Sequence, residues 1–157
     1  MKPLDLTLSA KKQATGGRGR PRQSDLRRSV STVCYELFHC VAITVADSMI
    51  GTNKNDRNNL AYRQIYRGVT HTQIRQNCNR QHVMKDFPPE IQLLGNLITE
   101  MHDKRNEADY DPFGILYRSE VLRDIRKVEG AINSFYKLKS SERRAFAAYV
   151  AFKTRNI

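Results

Sequence analysis

Residues 24–50, SDLRRSVSTVCYELFHCVAITVADSMI, decide how the chain is read. Leu26, Val30, Val33, Leu37 and Val41 recur at three- and four-residue steps, the spacing of one apolar stripe on an α-helix. Cys34, Phe38, Ala42 and Val45 widen that stripe, which predicts a helix packed on several sides and therefore central. Ser24 is a suitable N-cap and Gly51 a suitable stop. A narrower polar line, Arg28, Thr32, Tyr35 and His39, faces solvent or lines a site.

Upstream, residues 1–23 have few large apolar side chains and hold Gly16, Gly17, Gly19, Pro21 and five Lys or Arg after Ala10. Such a segment cannot bury enough surface to offset its ordering entropy. It is expected as a flexible basic arm ahead of a bundle over 24–157. Within it, Arg18-Gly19-Arg20-Pro21 matches the core of minor-groove AT-hooks, in which an extended Arg-Gly-Arg lies in a narrow A·T-rich groove. A solvated lead-in to the first helix is the plainer reading.

Downstream, 52–59 is a polar loop, followed by a short helix over 60–67 that Gly68 breaks and a second over 70–79. Residues 80–87 read as irregular. Pro88 and Pro89 open a helix that runs to about Asp109, and Asp111-Pro112 ends it. Ser119 opens a helix carrying Leu122, Ile125, Val128, Ile132, Phe135 and Leu138 in register. Ser140 or Ser141 opens the last, with Phe146, Tyr149 and Val150 inward. Strand signals are weak. The expectation is an all-α, up-down bundle of five to six helices.

The 157 residues suit one domain. No apolar run reaches the ~20 residues of a membrane span, so no membrane partner is expected, and no secretory segment is visible at the N-terminus. Cys34, Cys40 and Cys78 lack paired spacing and read as reduced thiols of a cytoplasmic protein. His71, Cys78, His82 and His102 lack the tight pairs of a zinc site, and Gly16-Gly17-x-Gly19 lacks the Lys-Ser/Thr of a phosphate loop. Neither metal nor cofactor is expected. Net charge is +11, and residues 1–28, with eight basic and two acidic side chains, hold +6 of it. Between Arg57 and Lys85 lie Arg63, Arg67, Arg75, Arg80, His71 and His82 with no carboxylate. A basic arm and a basic window point to a polyanionic partner, RNA or a nucleotide.

Residues 103–112, DKRNEADYDP, extend the seam Ile91, Leu94, Ile98, Met101. Its next positions are Arg105 and Ala108. A guanidinium thus stands where the stripe asks for a hydrophobe, and Asp109 is one turn on. Either the pair is structural or the arginine is held there to meet a phosphate.

Three segments together resemble the HEPN-domain superfamily. Residues 26–39, LRRSVSTVCYELFH, resemble the first helix of its small prokaryotic members. Residues 105–110, RNEADY, resemble the Arg-x-x-Ala-Asp-Tyr signature of one uncharacterised branch. Tyr66-Arg67-Gly68-Val69-Thr70-His71 falls where that branch has a histidine opening its second helix. The likeness covers about residues 24–140. It implies a helical bundle that forms a homodimer and acts on RNA or nucleotides, some members being metal-independent endoribonucleases of toxin–antitoxin or phage-defence systems with an antitoxin partner. Active members carry an Arg, four to six residues, then His. Here those places hold Tyr110, Asp111 and Pro112, so that motif is incomplete.

Metal-independent RNA cleavage needs a base, an acid and a cation for the phosphorane. Arg105 suits the cation role, with Asp109 orienting it, Asn106 positioning a phosphate, and Tyr110 donating a hydrogen bond or stacking on a base. The acid or base would be His71, His39 or His102. Arg63, Arg67, Arg75, Arg18 and Arg20 are candidate phosphate contacts, with His39 beside them. The alternative is a non-enzymatic nucleic-acid- or partner-binding module that docks through its basic arm.

Overall fold

A computed structural model describes residues 4–155. Among them are eight helices and no strand: α1 Asp5–Thr15, α2 Gln23–Ile50, α3 Asn59–Gly68, α4 His71–Cys78, α5 Gln81–Met84, α6 Pro89–Tyr110, α7 Arg118–Tyr136 and α8 Ser140–Ala151. The all-α expectation holds. The number is eight among the described residues, against the expected five to six, because α1 forms inside the supposed arm and α5 is a single turn within 80–87.

Helix α2, about 42 Å long at 1.5 Å per residue, is the axis, packed by α1, α3, α6, α7 and α8. Leu26, Val33, Leu37, Val41 and Ala42 are all but sealed from solvent. Gly51 ends it at φ 110°, a conformation that glycine adopts without strain. Length and composition alone would let α2 cross a membrane, contrary to the reading that no segment qualifies. Here its apolar faces are taken up by the five helices around it. Cross-contacts set the directions. Arg27 meets Ala108, and further along α2 Leu37 and Phe38 share a small cavity with Ile98 and His102, so α6 runs antiparallel to α2. Lys104 meets Asp124 and Glu100 meets Lys127, so α7 reverses again.

The arm expectation fails at α1. Its buried side chains are Thr7, Ala10 and Ala14, small residues that leave no hydrophobic signature yet let two helix backbones approach closely. Ser29 on α2 donates to the Ala10 carbonyl. The α1 N-terminus has no side-chain cap of its own. Its free amides are taken by Glu36 of α2, whose two carboxylate oxygens accept from Leu4 N at 3.1 Å and Leu6 N at 2.9 Å. Glu36 is 1% exposed. Burial pushes its carboxyl above the ordinary range, although the amide donors pull the other way.

Other helix ends are closed in the same manner, by side chains from elsewhere in the chain. Arg118 Nε donates to the Ala14 carbonyl at the end of α1. Arg27 Nη1 donates to the Ala108 and Asp111 carbonyls at the end of α6. Arg143 Nη1 donates to Tyr136 and Leu138 at the end of α7. Asn77, 2% exposed, donates to Tyr149 and Phe152 at the end of α8. Each satisfies carbonyls that have no partner within their own helix, and the arginines also oppose the negative end of the helix dipole.

Charge-assisted hydrogen bonds of this kind contribute ~1.5–3 kcal/mol each. Glu36→Ala is therefore expected to destabilise the protein by ~2–4 kcal/mol and to release α1 first. Hydrogen exchange checks this: amides of Asp5–Thr15 should lose protection while those of α6 keep it, and uniform protection would show that the carboxylate does not hold α1.

Candidate nucleic-acid interface

The polar line of α2 reaches the surface between α3, α4 and α6. Helix α3 has no fully buried residue. It rests on α2 through the half-buried face of Ala61, Tyr62, Ile65 and Tyr66, and its first turn is closed by Asn58 Oδ1, which accepts from Ala61 N. Helix α4 is capped likewise by Thr70, which sets His71 at its first position. These two short helices place aromatic side chains against Tyr35, Phe38 and His39 of α2.

A row of rings results. His39 meets Tyr66 edge-on at 5.5 Å between centroids. Tyr35 lies 6.3 Å from His39 and nearly parallel to it, at 14°. Phe38 follows at 5.9 Å, and His71 stacks on Phe38 at 3.8 Å and 17°. Tyr35, 41% exposed, is the rung most open to solvent.

At one end of the row is a cavity of about 660 Å³, lined by His39, Asp47, Lys54, Arg57, Tyr62, Arg63 and Tyr66 among others. The Arg57 guanidinium lies 3.6 Å over the Tyr62 ring, a cation–π contact. The Tyr62 hydroxyl donates to Asp47 Oδ1 at 2.9 Å. Burial, reinforced by Asp47, pushes Tyr62 up to about 12, so it stays a donor at neutral pH. Lys54 and Arg63 are exposed, with no acidic partner among the described residues. His39 is 6% exposed. Its Nδ1 is hydrogen-bonded to the Tyr66 hydroxyl, and its Nε2 is buried without a partner. Burial holds His39 below its usual value and so keeps it neutral.

At the other end stand His71, His102 and Arg105. Arg105 Nε donates to Asp109 Oδ2 at 3.3 Å, and Asp109 Oδ1 accepts from Ser31 at 2.6 Å. The two Nη groups of Arg105 have no acceptor among the described residues, and its side chain is 36% exposed. The fork is thus not consumed by the helix-end pair. His71 is held below its usual value by burial, then by Arg105 and His102. His102 is lowered by burial, then by Arg75. A cavity of about 10 Å³ lies at this end, lined by Phe38, His71 and His102 among others, too small to enclose a nucleotide.

The structure therefore brings Arg105, Asp109 and His71 together, with His102 beside them, and places His39 and Arg63 on the cavity wall. Arg67 is exposed near the end of α3. Arg75 is engaged by Asp103. Asn106 is exposed. Tyr110 is 77% exposed and joins no other candidate residue. Arg18 and Arg20 lie away from this face, where Arg118 donates to the Gly19 carbonyl. Gly17 and Gly19 have φ of 87° and 79°, so the Arg-Gly-Arg segment is bent, not the extended form that a minor groove would need. Sequence reasoning missed Asp47, Lys54 and Tyr62 as site residues, and it noted Tyr35 only on the polar line of α2 and Arg57 only as one end of the basic window. The available signal was Tyr62 and Tyr66, one turn apart in a window without carboxylates.

Lowered histidines favour the neutral form in the folded state. Stability is complete above the ordinary value of 6.5 and falls as pH drops below it. Melting temperature is expected to decline from pH 7.5 to 5.5. In NMR titrations, Arg105→Ala should raise the His71 midpoint, because a neighbouring cation is removed, and leave that of His39 in place. An unmoved His71 would separate it from Arg105.

Comparison with protein-family models, with curated proteins and with solved structures returns no match.

Proposed function

We propose that this protein binds single-stranded RNA, or a nucleotide, along the face formed by α2, α3, α4 and the end of α6. The observation that carries this reading is the row of rings from Tyr66 to His71, set between the cations Lys54, Arg57 and Arg63 and the free fork of Arg105. Single-strand binders combine these parts: aromatic faces on which bases stack, beside a positive track for phosphates. Duplex binding asks instead for an element that fits a groove. An all-helical bundle with Arg105 near the end of a middle helix supports the HEPN-like reading.

RNA cleavage is a second reading, favoured by one observation. His71 and His102 are both held below their usual value with Arg105 among the causes, and a neutral imidazole beside a phosphate-binding cation is the equipment of general-base chemistry. Incubation of RNA with the protein in EDTA tests it. Cleavage that vanishes in both Arg105→Ala and His71→Gln supports this reading, and intact RNA leaves binding as the function.

Stacking contributes ~1–3 kcal/mol per base. Tyr35→Ala is therefore expected to weaken binding of a fluorescein-labelled single-stranded RNA about 5- to 150-fold. Arg63→Ala should reduce the slope of log affinity against log salt by about one. Fluorescence anisotropy reads both. A Tyr35→Ala protein that binds as tightly as the parent would refute the stacking face.

A further inference from the structure

The α2–α3 cavity does not end at Asp47. Asp47 and Thr52 line it beside Lys54, Arg57 and Arg63. The same two residues also line a second cavity of about 400 Å³, between the end of α2, the end of α7 and the start of α8. Ser140, Arg143 and Arg144 stand on its far wall. Arg143 is tied through Nη1 to the Tyr136 and Leu138 carbonyls, and its Nη2 has no acceptor among the described residues. Arg144 is exposed, with no acidic partner among them. A single carboxylate thus stands between two groups of cations.

That carboxylate is held in one orientation. Oδ1 accepts from the Tyr62 hydroxyl at 2.9 Å and lies 3.9 Å from Arg57 Nη1. Oδ2 has no hydrogen-bond partner among the described residues, and the side chain is 31% exposed. A polyanion drawn in by the cations meets repulsion at this point unless it offers a donor to the free oxygen. In RNA every sugar carries one, the 2′-hydroxyl, and DNA has none there. His39 and Asp47 are eight residues apart on α2, about 12 Å along the axis. A base laid against His39 and Tyr66 therefore leaves a sugar within reach of Asp47, with one phosphate toward Lys54 and Arg63 and the next toward Arg144.

We infer that a strand held in the α2–α3 cavity continues past Asp47 into the cavity at Arg143 and Arg144, and that the free Asp47 oxygen accepts from a 2′-hydroxyl, which makes this face select ribose over deoxyribose. The inference rests on the single-strand reading above and adds to it a second phosphate subsite and a residue that reads the sugar. The carboxylate acts in two ways, as acceptor for the RNA hydroxyl and as a repelling charge toward a strand that lacks it. A hydrogen bond to a charged group is among the stronger kinds, and the repulsion is felt by DNA without any compensation.

Fluorescence anisotropy on the full chain tests this with three fluorescein-labelled single strands of one sequence: RNA, DNA carrying deoxyuridine for uridine, and 2′-fluoro RNA, which keeps the ribose shape without the donor. The parent protein is expected to bind RNA about 10-fold more tightly than either of the other two. Asp47→Asn, which keeps an acceptor for Tyr62 and removes the charge, should bring the three affinities together, chiefly by raising that for DNA. If Asp47 served only to anchor Tyr62, the variant would weaken all three strands alike and keep their ratio. Arg144→Ala should lower the slope of log affinity against log salt by about one and leave the RNA preference in place. A parent that binds the three strands equally, 2′-fluoro RNA that binds as RNA does, or an Asp47→Asn protein with the parent's ratio overturns the assignment of Asp47. An Arg144→Ala protein with the parent's salt slope overturns the second subsite. Equal binding of the three strands leaves the single-strand reading standing, whereas a parent that binds none of them sinks both.

Discussion

Every helix has four amides at one end and four carbonyls at the other that it cannot satisfy itself, and at several helix ends in this bundle side chains from other helices satisfy some of them. Glu36 and Arg27, both on α2, close the start of α1 and the end of α6. Arg118 returns from α7 to the end of α1, and Asn77 reaches from α4 to the end of α8. These bonds fix register along the helices, which apolar packing alone leaves loose, since a seam of similar side chains tolerates sliding. They also make α2 more than the largest buried surface: it carries the polar groups that tell its neighbours where to stop.

The same arrangement reinterprets the charge of the chain. A net +11 suggests a uniformly phosphate-seeking surface, yet Arg27, Arg118 and Arg143 point their guanidinium groups at backbone carbonyls, and Arg75 is matched by Asp103. Exposed cations without a partner among the described residues also stand elsewhere, Arg123, Arg126 and Lys139 among them, and what distinguishes Lys54 and Arg63 is the aromatic row beside them. Position, not total charge, separates a candidate phosphate track from cations that hold the bundle together.

The large helices were legible in the chain because their seams are made of Leu, Ile, Val and Phe at helical spacing. Helix α1 was not, because Thr7, Ala10 and Ala14 bury well while scoring as nothing in particular. Nothing in the sequence marks Glu36. Its role depends on amides some thirty residues away, and no local pattern announces that. Of the candidate site, Arg105 and Asp109 were readable as a pair one turn apart. The row of rings was not, since Tyr66, His39, Phe38 and His71 come from three helices and meet only in three dimensions. The short motif at Arg18 misled for a related reason: its match was to residue types, and the backbone at Gly17 and Gly19 takes a different shape.

Helix α3 stands apart from this tightly capped frame. It buries no residue completely and is moored to α2 chiefly by two hydroxyls, Tyr62 on Asp47 and Tyr66 on His39. An element with so little covered apolar surface opens at small free-energy cost, so one wall of the cavity is compliant while the opposite wall, α2, is stiff. Selectivity for what enters then rests on the stiff side, with His39 and Asp47. The compliant side sets the speed of entry and exit, which makes α3 a latch whose looseness tunes residence time more than recognition.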